Sequence, residues 1–253
     1  MSKFLIKQAF AEAMDLHKQN RFEEAKAIYN KIIMVNESEP NAHHLISLIF
    51  MAEGDFDNAK KHIEIAIEKA PDQAVFRSNY GSLLHSMGEN QLAINAIKIS
   101  LRLDKKLFQS YYSLGIIYTD MQEHEKAVEN YVKALEINSE SSEAHNNLAN
   151  LFSYLNNNEA EYHYNKTIEL IPNEIYPRLN MSNYLIKNNR FDESLKHLKE
   201  ILDMGLESKE VYNSLGVSYK GLDDDDNAKK MFQKSLGLDP NFTLAQKNLD
   251  SLD

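Results

Sequence analysis

Three stretches of this sequence carry residue types that could do chemistry. His43 and His44 stand side by side, and paired imidazoles are a common start for a metal site. Neighbours on a helix point to different faces, however, and shared ligation needs a spacing of three or four residues. The two therefore read as helix-surface histidines. The run "DDDDNAKK" (223–230) puts Asp223, Asp225 and Asn227 at the first three ligand places of a calcium loop. The loop's glycine place is Ala228 and its bidentate glutamate place is Lys234. The run thus reads as a solvated turn whose aspartates cap the start of a helix. The third stretch, "SEAHNNLANLF" (142–152), holds Asn146, Asn147 and Asn150 within two helical turns. An amide offers donors and an acceptor, so a row of amides can pair with the backbone of any extended segment. The same asparagines also fit a plain enrichment that runs through the chain.

Most enzymatic chemistry lacks its residues. The sequence has no phosphate loop, dinucleotide fingerprint, zinc-protease helix or serine-nucleophile elbow. With no cysteine there is no disulfide, thiolate zinc site or thiol nucleophile. The reading is of a non-enzyme with no cofactor and no metal. A net charge of −10 repels phosphate backbones, so nucleic acid is not the expected partner. The opening "MSKFLIKQAF" is interrupted by Lys7 and is too short for a secretory signal. No apolar run approaches a membrane span, so no membrane association and a cytoplasmic location are expected.

The elements that carry these stretches recur. Ala25, Ala59, Ala93, Ala127, Ala160, Ser194 and Ala228 follow one another at 34 residues, with a single step of 33. Twelve residues before each, or eleven where the step is short, stands a second small residue: Ala13, Ser47, Gly81, Gly115, Ala149, Ser182 or Gly216. Small residues at fixed places permit two helices to cross closely. Large residues then surround the crossing. Leu16, Phe50, Leu84, Tyr118, Phe152, Leu185 and Tyr219 lie three places after the first small residue. Tyr29, Ile63, Ile97, Tyr131, Tyr164, Leu198 and Phe232 lie four places after the second. Each spacing keeps large and small on one helical face. The units run 6–39, 40–73, 74–107, 108–141, 142–174, 175–208 and 209–242, each two helices joined by a short turn. Residues 243–253 form a capping helix, with Ala245, Leu249 and Leu252 inward and Asn248 among the polar residues outward. Phe4, Leu5 and Ile6 fold back on the first unit or form a weak self-association patch.

The stretches "VYNSLGVSYKGLDDDDNAKKMFQKSLGLDP" (211–240) and "SYYSLGIIYTDMQEHEKAVENYVKALEINS" (110–139) resemble the tetratricopeptide repeat, and the resemblance covers residues 6–242. It implies an all-α, right-handed superhelical solenoid of seven helix-turn-helix units as a single domain. It implies a protein–protein interaction scaffold or adaptor that binds an extended protein or peptide segment in a concave groove lined by the first helix of every unit. Mapped onto this sequence, the groove takes Met14, His44, Tyr112, Asn146, Asn150, Asn183 and Asn213, with Asn147 and Asn180 at its edge. Such an amide ladder is similar to the array that precedes O-linked N-acetylglucosamine transferases. A second reading follows: a substrate-recognition arm of a bacterial glycosyltransferase, sulfotransferase or methyltransferase whose catalytic domain lies outside this chain. A clamp for a C-terminal carboxylate does not fit, because Glu210 and Ser214 stand where cations belong.

Overall fold

The computed structural model describes residues 3–37 and 39–252, with side chains from Leu5 onward. Fifteen α-helices and no strand occur among the described residues. The chain divides into two compact units, Met1–Ile137 and Asn138–Asp253. The first unit holds α1 (Lys3–Lys18), α2 (Phe22–Val35), α3 (Pro40–Ala52), α4 (Phe56–Lys69), α5 (Ala74–Ser86), α6 (Asn90–Leu103), α7 (Phe108–Asp120) and α8 (His124–Ile137). The second holds α9 (Ser142–Tyr154), α10 (Glu159–Leu170), α11 (Ile175–Lys187), α12 (Phe191–Asp203), α13 (Lys209–Lys220), α14 (Asp225–Leu238) and α15 (Thr243–Asp250). This is the expected all-α stack of helical hairpins with a C-terminal helix. Among the described residues no helix is long and apolar enough to cross a membrane.

One turn closes every hairpin. Its central residue is left-handed: Asn20, Gly54, Gly88, Gln122, Asn156, Asn189 or Asp223, each with φ between 55° and 81°. The next residue's N–H reaches back to the carbonyl of the large residue of the first helix, as in Arg21 to Leu16 (2.9 Å), Glu123 to Tyr118 (2.8 Å) and Asp224 to Tyr219 (3.0 Å). This is the Schellman helix end, which satisfies carbonyls that the helix leaves unpaired. The acidic run of residues 223–226 lies at this turn. Asp224 caps α14, accepting from the Asn227 backbone N–H at 3.2 Å.

Beyond the turn, the small residue of the first helix meets the large residue of the second. A methyl group added at Gly115 would lie 2.5 Å from the Tyr131 ring, and one at Gly216 or Gly81 would collide with Phe232 or Ile97. Tyr29, Tyr131, Phe232, Ile63, Ile97 and Leu198 are buried. Each contributes about 1.5–3 kcal/mol of apolar burial. Consecutive hairpins in each unit pack side by side, so that first helices touch first helices: α3 with α5 and α5 with α7, then α9 with α11, α11 with α13 and α13 with α15. At the N-terminus Ile6 packs on the core of the first hairpin, while Leu5 is exposed and the Phe4 side chain lies outside the described residues.

Candidate functional site

The candidate asparagines of the second unit lie on its row of first helices, where several join neighbouring hairpins. Asn180 on α11 donates to Asn146 Oδ1 on α9 at 3.1 Å. Asn248 on α15 donates to Asn213 Oδ1 on α13 at 2.8 Å. Ser214 on α13 donates to Asn183 Oδ1 on α11 at 2.9 Å. These amide rungs tie one hairpin to the next, a structural use that reading for a groove did not anticipate. Asn248 accordingly turns toward the array and not outward. Asn146, Asn147 and Asn180 are partly exposed, whereas Asn150 and Asn183 are exposed. Asn150 Oδ1 accepts from the buried Tyr164 hydroxyl at 2.8 Å. Burial pushes that phenol up to about 12, so it stays a donor at any physiological pH. Tyr154 (66 % exposed) and Tyr176 (69 %) stand on the same two helices as Asn150 and Asn183.

Two expected groove residues are enclosed. Asn213 is 7 % exposed, covered by the capping helix to which it bonds. His44 is 8 % exposed; its ring packs 4.5 Å from Phe76 and its Nε2 meets Asn79 Nδ2 at 2.7 Å. Burial lowers its pKa to about 4. His43 is also buried, so neither is a surface histidine. Adjacency on the helix sends one ring into its own hairpin and the other onto the next hairpin. Met14 is exposed on α1, and Tyr112 stacks on Phe108 at 5.7 Å between ring centroids. Among the described residues no three His, Cys, Asp or Glu side chains converge to hold a metal ion.

His43 Nδ1 faces His62 Nδ1 at 3.0 Å across the hairpin of α3 and α4. In the second unit His145 Nδ1 faces His163 Nδ1 at 2.7 Å across α9 and α10. The signal for this lies in the sequence at a longer spacing than one repeat. His43 precedes His145 by 102 residues, and His62 precedes His163 by 101, the difference being the short turn of the later hairpin. At the same offsets Ala42 matches Ala144, Phe50 matches Phe152, Arg77 matches Arg178, Asn79 matches Asn180, Tyr111 matches Tyr212 and Gly115 matches Gly216. The contacts match as well. His44–Asn79 corresponds to Asn146–Asn180, and Ser82–Ser113 (3.2 Å) corresponds to Asn183–Ser214. Residues 40–141 and 142–242 thus share the histidine pair and these rungs at matching places, three repeats apart.

Comparison with known proteins agrees with this architecture. Tetratricopeptide-repeat family profiles match residues 44–106 and 209–242, and a TPR-repeat profile matches residues 115–153. The chain is 24% identical over 150 residues to stress-induced-phosphoprotein 1 of Caenorhabditis elegans, across 59% of this chain and 45% of that protein. It therefore spans less than half the length of that curated relative. Among solved structures it is similar to YrrB, described as a TPR protein with an unusual peptide-binding site (22% identity, 73% of this chain and 96% of that one, TM-score 0.64). It is also similar to PilF of Pseudomonas aeruginosa (18% identity, 84% and 97%, TM-score 0.72). At these identities the structural likeness establishes the fold.

Proposed function

The chain belongs to the tetratricopeptide-repeat proteins, which act in general as scaffolds for protein–protein contacts, and from that premise we propose that it is a non-catalytic adaptor gripping an extended protein segment on α9 and α11. One observation carries the reading. Asn150 and Asn183 hold the same place in successive hairpins, and each has its amide oxygen engaged by a protein hydroxyl, Tyr164 at 2.8 Å and Ser214 at 2.9 Å. Their NH2 groups are left to donate to the carbonyls of a bound backbone. Donors fixed in this way lose little freedom on binding, which favours affinity. Tyr154 and Tyr176 supply broad apolar area beside them at low entropic cost. YrrB, a relative in fold, is described as binding peptide.

The test replaces the donors and keeps the acceptors. Asn150→Asp with Asn183→Asp preserves shape and the hydroxyl contacts but removes both NH2 groups. Affinity capture from a lysate, followed by titration of the captured partner in purified form, should show at least about a tenfold weaker complex with this variant, since two hydrogen bonds of about 1 kcal/mol each are lost and carboxylates now face carbonyls. A partner bound equally by both proteins removes the two amides from the site.

A further inference from the structure

The histidine pairs, in which His43, His145 and His163 are buried and His62 is half-buried, have no part in the proposed grip, and the fold does not require them. At the same two places other hairpins carry Ala9 with Ile28, Arg77 with Ala96, and Tyr212 with Met231. Yet the hairpins α3–α4 and α9–α10 both keep the pair, each with a backbone carbonyl and a phenylalanine ring against it. The outer nitrogen of the first-helix ring faces a backbone carbonyl six residues back: His43 Nε2 to Glu37 O at 3.4 Å, His145 Nε2 to Ser139 O at 3.2 Å. A phenylalanine ring lies against the second-helix histidine in each, Phe50 on His62 and Phe152 on His163, both at 5.6 Å between centroids.

The carbonyl fixes the protons. It can only accept, so the first-helix histidine carries its proton on Nε2 and presents a lone pair at Nδ1. The second-helix histidine must then donate from Nδ1. Each neutral pair is a directed chain, second-helix N–H to first-helix nitrogen and first-helix N–H to carbonyl. A first added proton is kept in the pair when the second ring moves its own proton to Nε2, whereas a second sets two N–H groups head to head at 3.0 Å or 2.7 Å. The neighbourhood gives the added charge no relief. Around the first pair α4 brings Lys61 and Lys69, and α2 brings Lys26, which lies over the Phe50 ring at 5.0 Å and is paired with Glu23 and Glu53. Around the second, α10 brings Lys166, paired with Glu169, and the Tyr162 ring, edge-on to both histidines. Among the described residues no carboxylate pairs with any of the four rings.

We propose that the two histidine pairs are acid-operated latches, which hold the hairpins α3–α4 and α9–α10 closed near neutral pH and open them when both rings of a pair become protonated. The direction agrees with the electrostatics: all four rings are held below the usual imidazole range, first by burial, and His62 and His163 fall to about 4. An open or unfolded hairpin therefore binds more protons than a closed one once the pH falls below the ordinary imidazole value, and closure weakens through that window. Opening also pulls away one side of the rungs His44–Asn79 and Asn146–Asn180, because His44 and Asn146 ride on the first helices of the latched hairpins.

Hydrogen-exchange mass spectrometry on the whole chain tests this. After correction for the intrinsic pH dependence of exchange, protection of α3–α4 and α9–α10 should fall between pH 7 and pH 5 at least about tenfold more than that of α13–α14, which has no histidine. The variant His43→Tyr, His62→Met, His145→Tyr, His163→Met borrows the residues of α13–α14 and should abolish the difference. Equal pH dependence in all hairpins, or an undiminished difference in the variant, overturns the latch. Should that variant fail to fold, nitrogen-15 spectra of the wild-type imidazoles decide. They should show Nε2–H at His43 and His145, Nδ1–H at His62 and His163 near neutral pH, and no pair with both rings protonated while the fold persists. A pair whose two rings both become protonated in the folded protein overturns it.

Discussion

Gly115→Ala adds a single methyl group where α7 crosses α8. That carbon would stand 2.5, 2.6 and 2.9 Å from Cε1, Cδ1 and Cγ of Tyr131. Carbon atoms in contact ordinarily sit about 3.5–4.0 Å apart, so the helices must part by about 1 Å or the ring must leave its place. Tyr131 is 2 % exposed, and its hydroxyl is approached by Thr119 at 3.4 Å, so rotation of the ring has little room. Overpacking of this kind costs about 1–3 kcal/mol. Replacing glycine by alanine inside a helix returns about 1 kcal/mol. The net expectation is a loss of up to about 2 kcal/mol, which for a chain of this size lowers Tm by several degrees. Gly237→Ala in α14 is the matched comparison: nothing lies within 4 Å of its added methyl. There the helical gain acts alone, and the protein should be stabilised by about 0.5–1 kcal/mol. Urea unfolding followed by circular dichroism, with slopes compared to confirm an unchanged transition, reads both. Gly115→Leu should cost several kcal/mol more because the whole side chain meets the ring. If Gly115→Ala stabilises the chain as much as Gly237→Ala does, close approach to Tyr131 is not what places glycine there.

Gln122 sits at φ 59° in a turn that other hairpins build with glycine, asparagine or aspartate. Gln122→Gly should raise stability by about 1 kcal/mol, read as a higher urea midpoint with an unchanged slope. Alanine at Asn146, at Asn180 and at both should show a coupling of about 0.5–1.5 kcal/mol in a double-mutant cycle, whereas additive losses would mean that the 3.1 Å rung holds nothing. Asp224→Ala removes the cap of α14 and should cost about 1 kcal/mol, with Asp224→Asn close to neutral. His44 has its pKa lowered to about 4, so its contribution is full above the ordinary imidazole value and is lost as pH falls toward 4. His44→Asn should therefore weaken the fold near pH 7, where it removes the packing on Phe76, and the gap from wild type should shrink on acidification; a gap that grows contradicts the burial argument.

The fold was legible because it rests on steric pairs that recur at a fixed interval. Gly115 with Tyr131 and Gly216 with Phe232 mark the helix crossings, and the interval of 34 residues reveals them without knowledge of any contact. The amides were legible only in part. Asn146 and Asn150 declare a polar helix face, but whether an amide serves a ligand or a neighbour depends on what stands one hairpin away, as Asn180 does for Asn146. Asn213 and His44 were misplaced for that reason. The histidine pairs escaped because their members lie 19 and 18 residues apart on facing helices, a spacing that no helix or strand period connects. They become visible when the hairpins α3–α4 and α9–α10 are laid one under the other.

Within the second unit the first helices touch in turn, α9 with α11, α11 with α13 and α13 with α15. Interfaces set in a row fail one at a time. Undocking of α15 would uncover Asn213 and leave α13 as the new end, so melting should spread inward from that side.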